Sequence, residues 1–243
     1  MQVTYIKHSG FAIEWEECIW VFDYYKGRLP EWDKKKPLFI FASHAHEDHF
    51  NPEIFNLFSD YEQVNYILSS DIKKKTSGLL LSEDIRNKIA TLDVDERLTL
   101  PVTGSLKLEV KTLDSTDCGV SFLVKYKERY VFHAGDLNCW VWDDDSKAER
   151  NNMISRFKRE IDKLEDIPIE LAFLPLDPRL GVNYDMGVRY FLDHVKADHI
   201  FPMHLWERYD TVRRFRDSLE TRQMKERVTD ISYPGQRWEF ADS

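Results

Sequence analysis

The chain of 243 residues has few cysteines, no long apolar run and no surplus of positive charge. Each shortage removes a class of protein. The three cysteines, Cys18, Cys118 and Cys139, are odd in number and no two sit at ligand spacing. That argues against a disulfide framework and for a reducing compartment. No apolar stretch approaches the roughly 20 residues that a membrane helix requires. The first residues, Met1-Gln-Val-Thr-Tyr-Ile6, alternate like a strand and show no charged segment followed by an apolar one. No export signal is therefore expected. The expectation is a cytoplasmic protein without membrane association. Lysine plus arginine number 34 against 43 aspartate plus glutamate, a formal net charge of −9. An acidic surface repels polyanions, so a nucleic-acid partner has no electrostatic support. There is no internal repeat and no low-complexity segment.

A hydrophobic share of 42% with 14% aromatics supports a sizeable core. The length fits one large domain over residues 1–243. Val3-Tyr5, Phe11-Ile13 and Cys18-Phe22 read as short antiparallel strands around a break at His8-Ser9-Gly10. The run from Pro37 to Ala42 is apolar at every position, which suits a strand buried on both faces. Asn51-Pro52-Glu53 signals a helix start, with Ile54, Leu57 and Phe58 as its apolar face. Strands follow at Tyr66-Leu68 and in a block from Thr99 to His133. Met153, Phe157, Ile161 and Leu164 mark an amphipathic helix within 147–165. After it come a strand at Ile169-Leu174, a helix carrying Val188, Phe191, Leu192 and Val195, and a short strand at Ile200-Phe201. A helix around 210–219 and a strand at Trp238-Phe240 close the chain. The expected class is α/β (α+β): two mixed β-sheets with helices outside, a four-layer αββα sandwich.

The chemistry concentrates in His44-x-His46-x-Asp48-His49, placed between an apolar strand and a capped helix. Two histidines two apart on an extended segment point to one side. Imidazoles and carboxylates are the usual ligands of zinc and neighbouring divalent metals. Four such groups within six residues are poorly explained by packing, because buried aspartate is costly without a partner. Adjacent Asp48 and His49 point in different directions, which favours two metal positions a few ångströms apart.

This motif resembles the hallmark of the metallo-β-lactamase fold superfamily. Three further features follow the same order along the chain. His133-Ala-Gly-Asp136 is similar to the family's Gly-Asp element, and Pro202-Met-His204 to its final histidine. His8-Ser-Gly10 with Asp23 resembles the opening hairpin of the ascorbate-phosphate lactonase-like branch. The resemblance implies one or two divalent ions, zinc first, with manganese or iron as alternatives. It assigns His44 and His46 to one ion, and Asp48, His49 and His204 to the other. Asp136 bridges them. There is one departure. The loop that normally supplies a third histidine to the first ion reads Leu113-Asp-Ser-Thr-Asp-Cys-Gly119. Asp117 is the preferred substitute there and Asp114 the other candidate. A carboxylate in place of an imidazole hardens the site and favours manganese or iron.

The remaining candidates are His8, Asp23, His133 and Arg179, read as groups that contact substrate or orient ligands. Asp23 is a candidate to accept a hydrogen bond from a ligand histidine, or else starts the turn before Tyr24-Tyr25. Arg179, in Asp177-Pro-Arg179, is a candidate for holding an anionic substrate group, or else forms a salt bridge in a surface turn. The resulting expectation is a hydrolase that uses a metal-activated water on a small anionic ester, lactone or phosphoester. Asp48 and Asp136 are the candidate proton carriers. The alternatives are a metal-binding protein without hydrolase activity (a di-iron redox enzyme or a degenerate site) and a nuclease or phosphodiesterase.

Overall fold

The computed structural model describes residues 1–241. Two mixed sheets face each other. The first has seven strands: β1 (Gln2–Lys7), β2 (Gly10–Glu14), β3 (Ile19–Phe22), β4 (Leu38–Ala42), β5 (Val64–Ser69), β6 (Ile89–Leu92) and β13 (Arg237–Glu239). Their spatial order is β13-β1-β2-β3-β4-β5-β6. The second has six strands: β7 (Arg97–Thr103), β8 (Leu106–Asp114), β9 (Val120–Tyr126), β10 (Arg129–His133), β11 (Ile169–Pro175) and β12 (Ala197–Met203). They lie in the order β12-β11-β10-β9-β8-β7. Short helices α1 (Ile54–Leu57), α2 (Lys73–Ser77) and α3 (Glu83–Asn87) accompany the first sheet. The others are α4 (Lys147–Asp162), α5 (Met186–His194), α6 (Asp210–Ser218) and α7 (Arg222–Arg227).

Side-chain alternation explains the layering. On β4, Phe39 and Phe41 enter the core between the sheets, while Leu38, Ile40 and Ala42 pack into a second apolar cluster with Ile54, Phe55 and Phe58. All five β4 residues are buried, as the unbroken apolar run implies. Phe157 and Ile161 of α4 and Val188, Phe191 and Leu192 of α5 continue the same apolar cluster, with Phe191 stacked on Phe132 of β10. A ladder of Phe11, Phe22, Phe173 and Phe201 joins strands of both sheets.

The first three strands are antiparallel as expected, and β3 is in turn parallel to β4 because a long crossover joins them. One sequence expectation needs correction. The helix after Asn51 is a single turn. Asn51 Oδ1 accepts the Glu53 N–H at 2.9 Å, and Asn51 Nδ2 donates to the Tyr25 carbonyl, so its side chain closes a local turn and does not cap a long helix. Phe55 faces inward there and Leu57 faces solvent.

Strands β3, β4, β10, β11 and β12 end on one edge of the sandwich. The carboxyl ends of parallel strands are where α/β sheets place their ligands. Asp23 follows β3, His44 follows β4, Asp136 follows β10, Asp177 follows β11 and His204 follows β12. Among the described residues, no helix is long and apolar enough to cross a membrane.

Candidate metal centre

The loop from Ser43 to Phe50 is clamped from above. The Val120 N–H donates to the Ser43 carbonyl at 2.9 Å. Gly119 and Gly135, at φ +67° and +53°, press directly on Ser43 and His44. A Cβ on Gly119 would lie 2.0 Å from the Ser43 carbonyl oxygen, so only glycine permits this approach.

Asp23 organises the floor. It is fully buried. Its Oδ1 accepts the Ser43 N–H at 2.7 Å, and its Oδ2 accepts the Ser43 hydroxyl at 2.7 Å. The same Oδ2 lies 2.7 Å from His49 Nδ1. Ser43 Oγ in turn lies 3.0 Å from His44 Nδ1. At the opposite wall, Asp177 Oδ2 lies 2.7 Å from His204 Nδ1. Oxygen acceptors at all three Nδ1 atoms hold the proton on that nitrogen and turn Nε2 toward the centre, where a bound metal would displace any proton it carries.

Those Nε2 atoms converge on Asp136. His44 Nε2 is 3.4 Å from Asp136 Oδ2, whereas His49 Nε2 and His204 Nε2 are 3.2 and 3.5 Å from Oδ1. The two carboxylate oxygens therefore face two groups. One contains His44, His46 and Asp136. In it, His44 Nε2 and His46 Nδ1 are 3.0 Å apart. The other contains Asp48, His49, His204 and also His8. Asp48 Oδ2 is 3.7 Å from His204 Nε2. His8, His49, His204 and Asp136 each bury an atom aimed at this centre that has no hydrogen-bond partner: the three Nε2 atoms and Asp136 Oδ1. Orphaned buried donors and acceptors are rare and call for an explanation. Two imidazole-and-carboxylate groups sharing one aspartate fit a pair of divalent cations.

The electrostatics agree. Burial opposes charge on His49, but Asp136 and Asp23 overcome it and hold its proton well above the ordinary imidazole range. Burial would also raise the Asp136 carboxyl, yet His49, His204 and His44 keep it well below the ordinary value. Asp23 is lowered in the same way, with His133 and His49 outweighing its burial. Burial, together with the neighbouring His49, pushes His44 down to about 4, so its ring is neutral near pH 7. Asp177 is held down to about 2 because His204 and Arg179 outweigh burial.

The remaining predicted residues separate clearly. Asp117 Oδ2 lies 3.8 Å from His46 Nδ1, with both side chains about half exposed. It groups with His46 and Cys118 and falls outside the tight group of His44, His46 and Asp136. Asp114 turns away: its Oδ2 is 3.9 Å from Arg159 of α4. His133 lies beneath the site, stacked on Phe22. It accepts the Gly135 N–H at Nδ1, and its Nε2 lies 3.0 Å from the Ser9 carbonyl. It does not reach the pocket. Arg179 reaches it only in part. Its Nε and Nη2 donate to Asp177, and its guanidinium lies over the Trp206 ring. Sequence reasoning passed over Asp177 as a His204 partner, since its only signal was a strand-end aspartate. Above the two groups opens a pocket of about 510 Å³, walled by Trp140, Trp142 and Trp206.

The architecture has solved counterparts. Igni18, a metallo hydrolase of Ignicoccus hospitalis, superposes with a TM-score of 0.64 at 16% identity over 99% of both chains. The metallo-β-lactamase fold protein YhfI of Bacillus subtilis gives 0.56 at 11% identity over 98% of both chains. The chain has the metallo-β-lactamase fold. CmlA, a diiron β-hydroxylase of Streptomyces venezuelae, shares this architecture too, with a TM-score of 0.54 at 13% identity over 84% of this chain and 44% of that one. No family model matches the sequence, and no curated protein matches it. On the metallo-β-lactamase fold, the two groups described here occupy the edge formed by the carboxyl ends of β3, β4, β10, β11 and β12.

Proposed function

We propose that this protein is a metal-dependent hydrolase acting on a small anionic ester, lactone or phosphoester. The observation that carries the reading is the convergence of unpaired His49 Nε2, His204 Nε2 and Asp136 Oδ1, set beside the group of His44 and His46. His44, His46 and Asp136, with Asp117 at their edge, would hold one divalent ion. Asp48, His49, His204 and Asp136 would hold the other. When bound, such ions supply Lewis acidity and a water acidic enough to react near neutral pH.

The chain's own groups supply the rest. Asp23 and Asp177 keep the imidazoles in the tautomer that faces inward. Asp48 lines the pocket with a partly exposed carboxylate. His8, His49 and His204 outweigh its burial and hold it ionised. As an ionised carboxylate facing the pocket, it can orient a water or a protonated substrate group by accepting a hydrogen bond. Trp140, Trp142 and Trp206 restrict water and give a small substrate an apolar wall. The acidic balance of the chain supports a small-molecule substrate over a polyanion.

The test is metal content by mass spectrometry alongside turnover of a chromogenic phosphodiester, an aryl ester and a lactone. The expected result is about two divalent ions per chain and turnover of at least one substrate, with both lost in His46→Ala and His49→Ala. Full metal content and turnover in those variants would defeat the reading. A second reading is oxidative chemistry at a di-iron pair. The carboxylate Asp117 beside His46 favours it, because oxygen donors suit iron. It predicts iron in the purified protein and visible absorption without hydrolysis.

A further inference from the structure

Resting on that reading, we propose that His8 is a direct ligand of the second metal position, so that three imidazoles and two aspartates serve that ion. His8 sits in the turn between β1 and β2 at φ +58°, a left-handed conformation uncommon outside glycine. Two contacts hold it there. Its N–H donates to the Tyr5 hydroxyl at 3.0 Å, and its carbonyl accepts the His204 N–H at 3.2 Å. The second contact ties the hairpin directly to a residue already placed in the site.

The ring is directed inward. His8 is about nine-tenths or more buried, at 6% exposure, and its Nε2 has no hydrogen-bond partner. That nitrogen lies 3.2 Å from Asp48 Oδ2 without hydrogen-bond geometry. Single ligand atoms of His8, Asp48, His49 and His204 all lie within 4.8 Å of one another. Nitrogen and oxygen ligands about 2.0–2.2 Å from one shared ion stand about 3 Å apart, close to the spacing His8 keeps to Asp48. The His8 and His204 rings are 4.2 Å apart, and Trp206 packs against both.

The consequence is an asymmetric pair. The first position has His44 and His46 as its imidazoles, and the second has His8, His49 and His204. The second position, with one more imidazole and no fewer carboxylates, retains zinc or cobalt, while the first, with fewer ligands, releases its ion first.

Two variants separate ligation from a supporting role. His8→Asn suits the left-handed backbone but is too short to reach the ion. His8→Gln retains an N–H for Asp48 and removes the imidazole. Cobalt(II) is titrated into metal-free full-length protein, with affinity read by competition against a chromogenic chelator and coordination by visible absorption. Circular dichroism of the metal-free proteins checks folding. Both variants are expected to bind the tighter cobalt ion at least about 100-fold more weakly, with altered visible bands. The weaker ion is expected to be unchanged, whereas His44→Ala should lose that weaker ion alone. Wild-type affinity and spectrum in His8→Gln would make His8 a hydrogen-bond partner of Asp48 and overturn the proposal. A wild-type protein that binds no cobalt overturns the metal reading itself.

Discussion

At the residue scale, the site depends on carboxylates that face away from the reaction. Asp177 does not itself line the pocket, yet its Oδ2 fixes His204 Nδ1 at 2.7 Å and receives the Arg179 guanidinium and the Trp206 indole N–H. Groups that orient ligand histidines commonly change metal affinity about 10–100-fold when altered. Asp177→Asn keeps the side-chain shape and removes the charge. It is expected to weaken metal binding by roughly that factor, measured by chelator competition. An unchanged affinity would show that His204 is oriented by its backbone alone. This pairing was illegible in the sequence, because Asp177 and His204 stand 27 residues apart at the ends of neighbouring strands. By contrast, His44, His46, Asp48 and His49 announced themselves, since local spacing alone brings them together. Asp23 and Asp136 came from the family resemblance, since local spacing alone would not supply them. Between Asp117 and Asp114 the sequence favoured the first; Asp117 lies 3.8 Å from His46, whereas Asp114 turns toward Arg159. The Arg179 fork looked available for an anionic substrate. Its neighbour two residues back takes most of it.

At the element scale, the His44–His49 loop stays in place because two other loops can lie on it. Gly119 precedes β9 and Gly135 follows β10, and both take positive φ against Ser43. An alanine at 119 meets the Ser43 carbonyl and the His44 side chain while also straining its own backbone. Gly119→Ala is therefore expected to destabilise the protein by about 2–4 kcal/mol and to lower metal affinity. Urea denaturation measures the first effect. A change below about 0.5 kcal/mol would mean that the loop is free to move aside. The strands around this loop were legible where burial is symmetrical. β4 is apolar at every position because both of its faces are covered, and its continuous run identified it. β6 was passed over because Ile89, Ala90 and Thr91 are only half-buried and follow a polar stretch. The face of α1 was misread for a related reason. One helical turn has no period to count, and the pocket under Tyr66, not spacing, selects Phe55 over Leu57.

At the scale of the whole molecule, the fold concentrates negative charge where it is expensive. Asp23, Asp136 and Asp177 are all buried, in a chain that already carries a formal charge of −9. Burying a carboxylate costs several kcal/mol unless cations compensate. His49 and Arg179 compensate in part. Divalent ions would do so more fully, and they bind the folded chain far better than the unfolded one. Saturation at about 100 times Kd adds about 2.7 kcal/mol of stability. For a domain of this size each kcal/mol moves Tm by about 2–4 °C. Stripping the metal with a chelator is thus expected to lower Tm by about 5–10 °C, with recovery when zinc or manganese returns. The gain must also depend on pH in a defined direction. Ligand imidazoles have to be neutral, and Asp136 and Asp23 strengthen the proton's hold on His49. Protons therefore compete with the metal, so the metal-linked rise in Tm should shrink as pH falls from about 8 to about 6. Scanning calorimetry with and without metal across that range reads the effect directly. A metal-linked rise that stays constant over the range would place the bound ions on carboxylates alone and remove the imidazoles from the site.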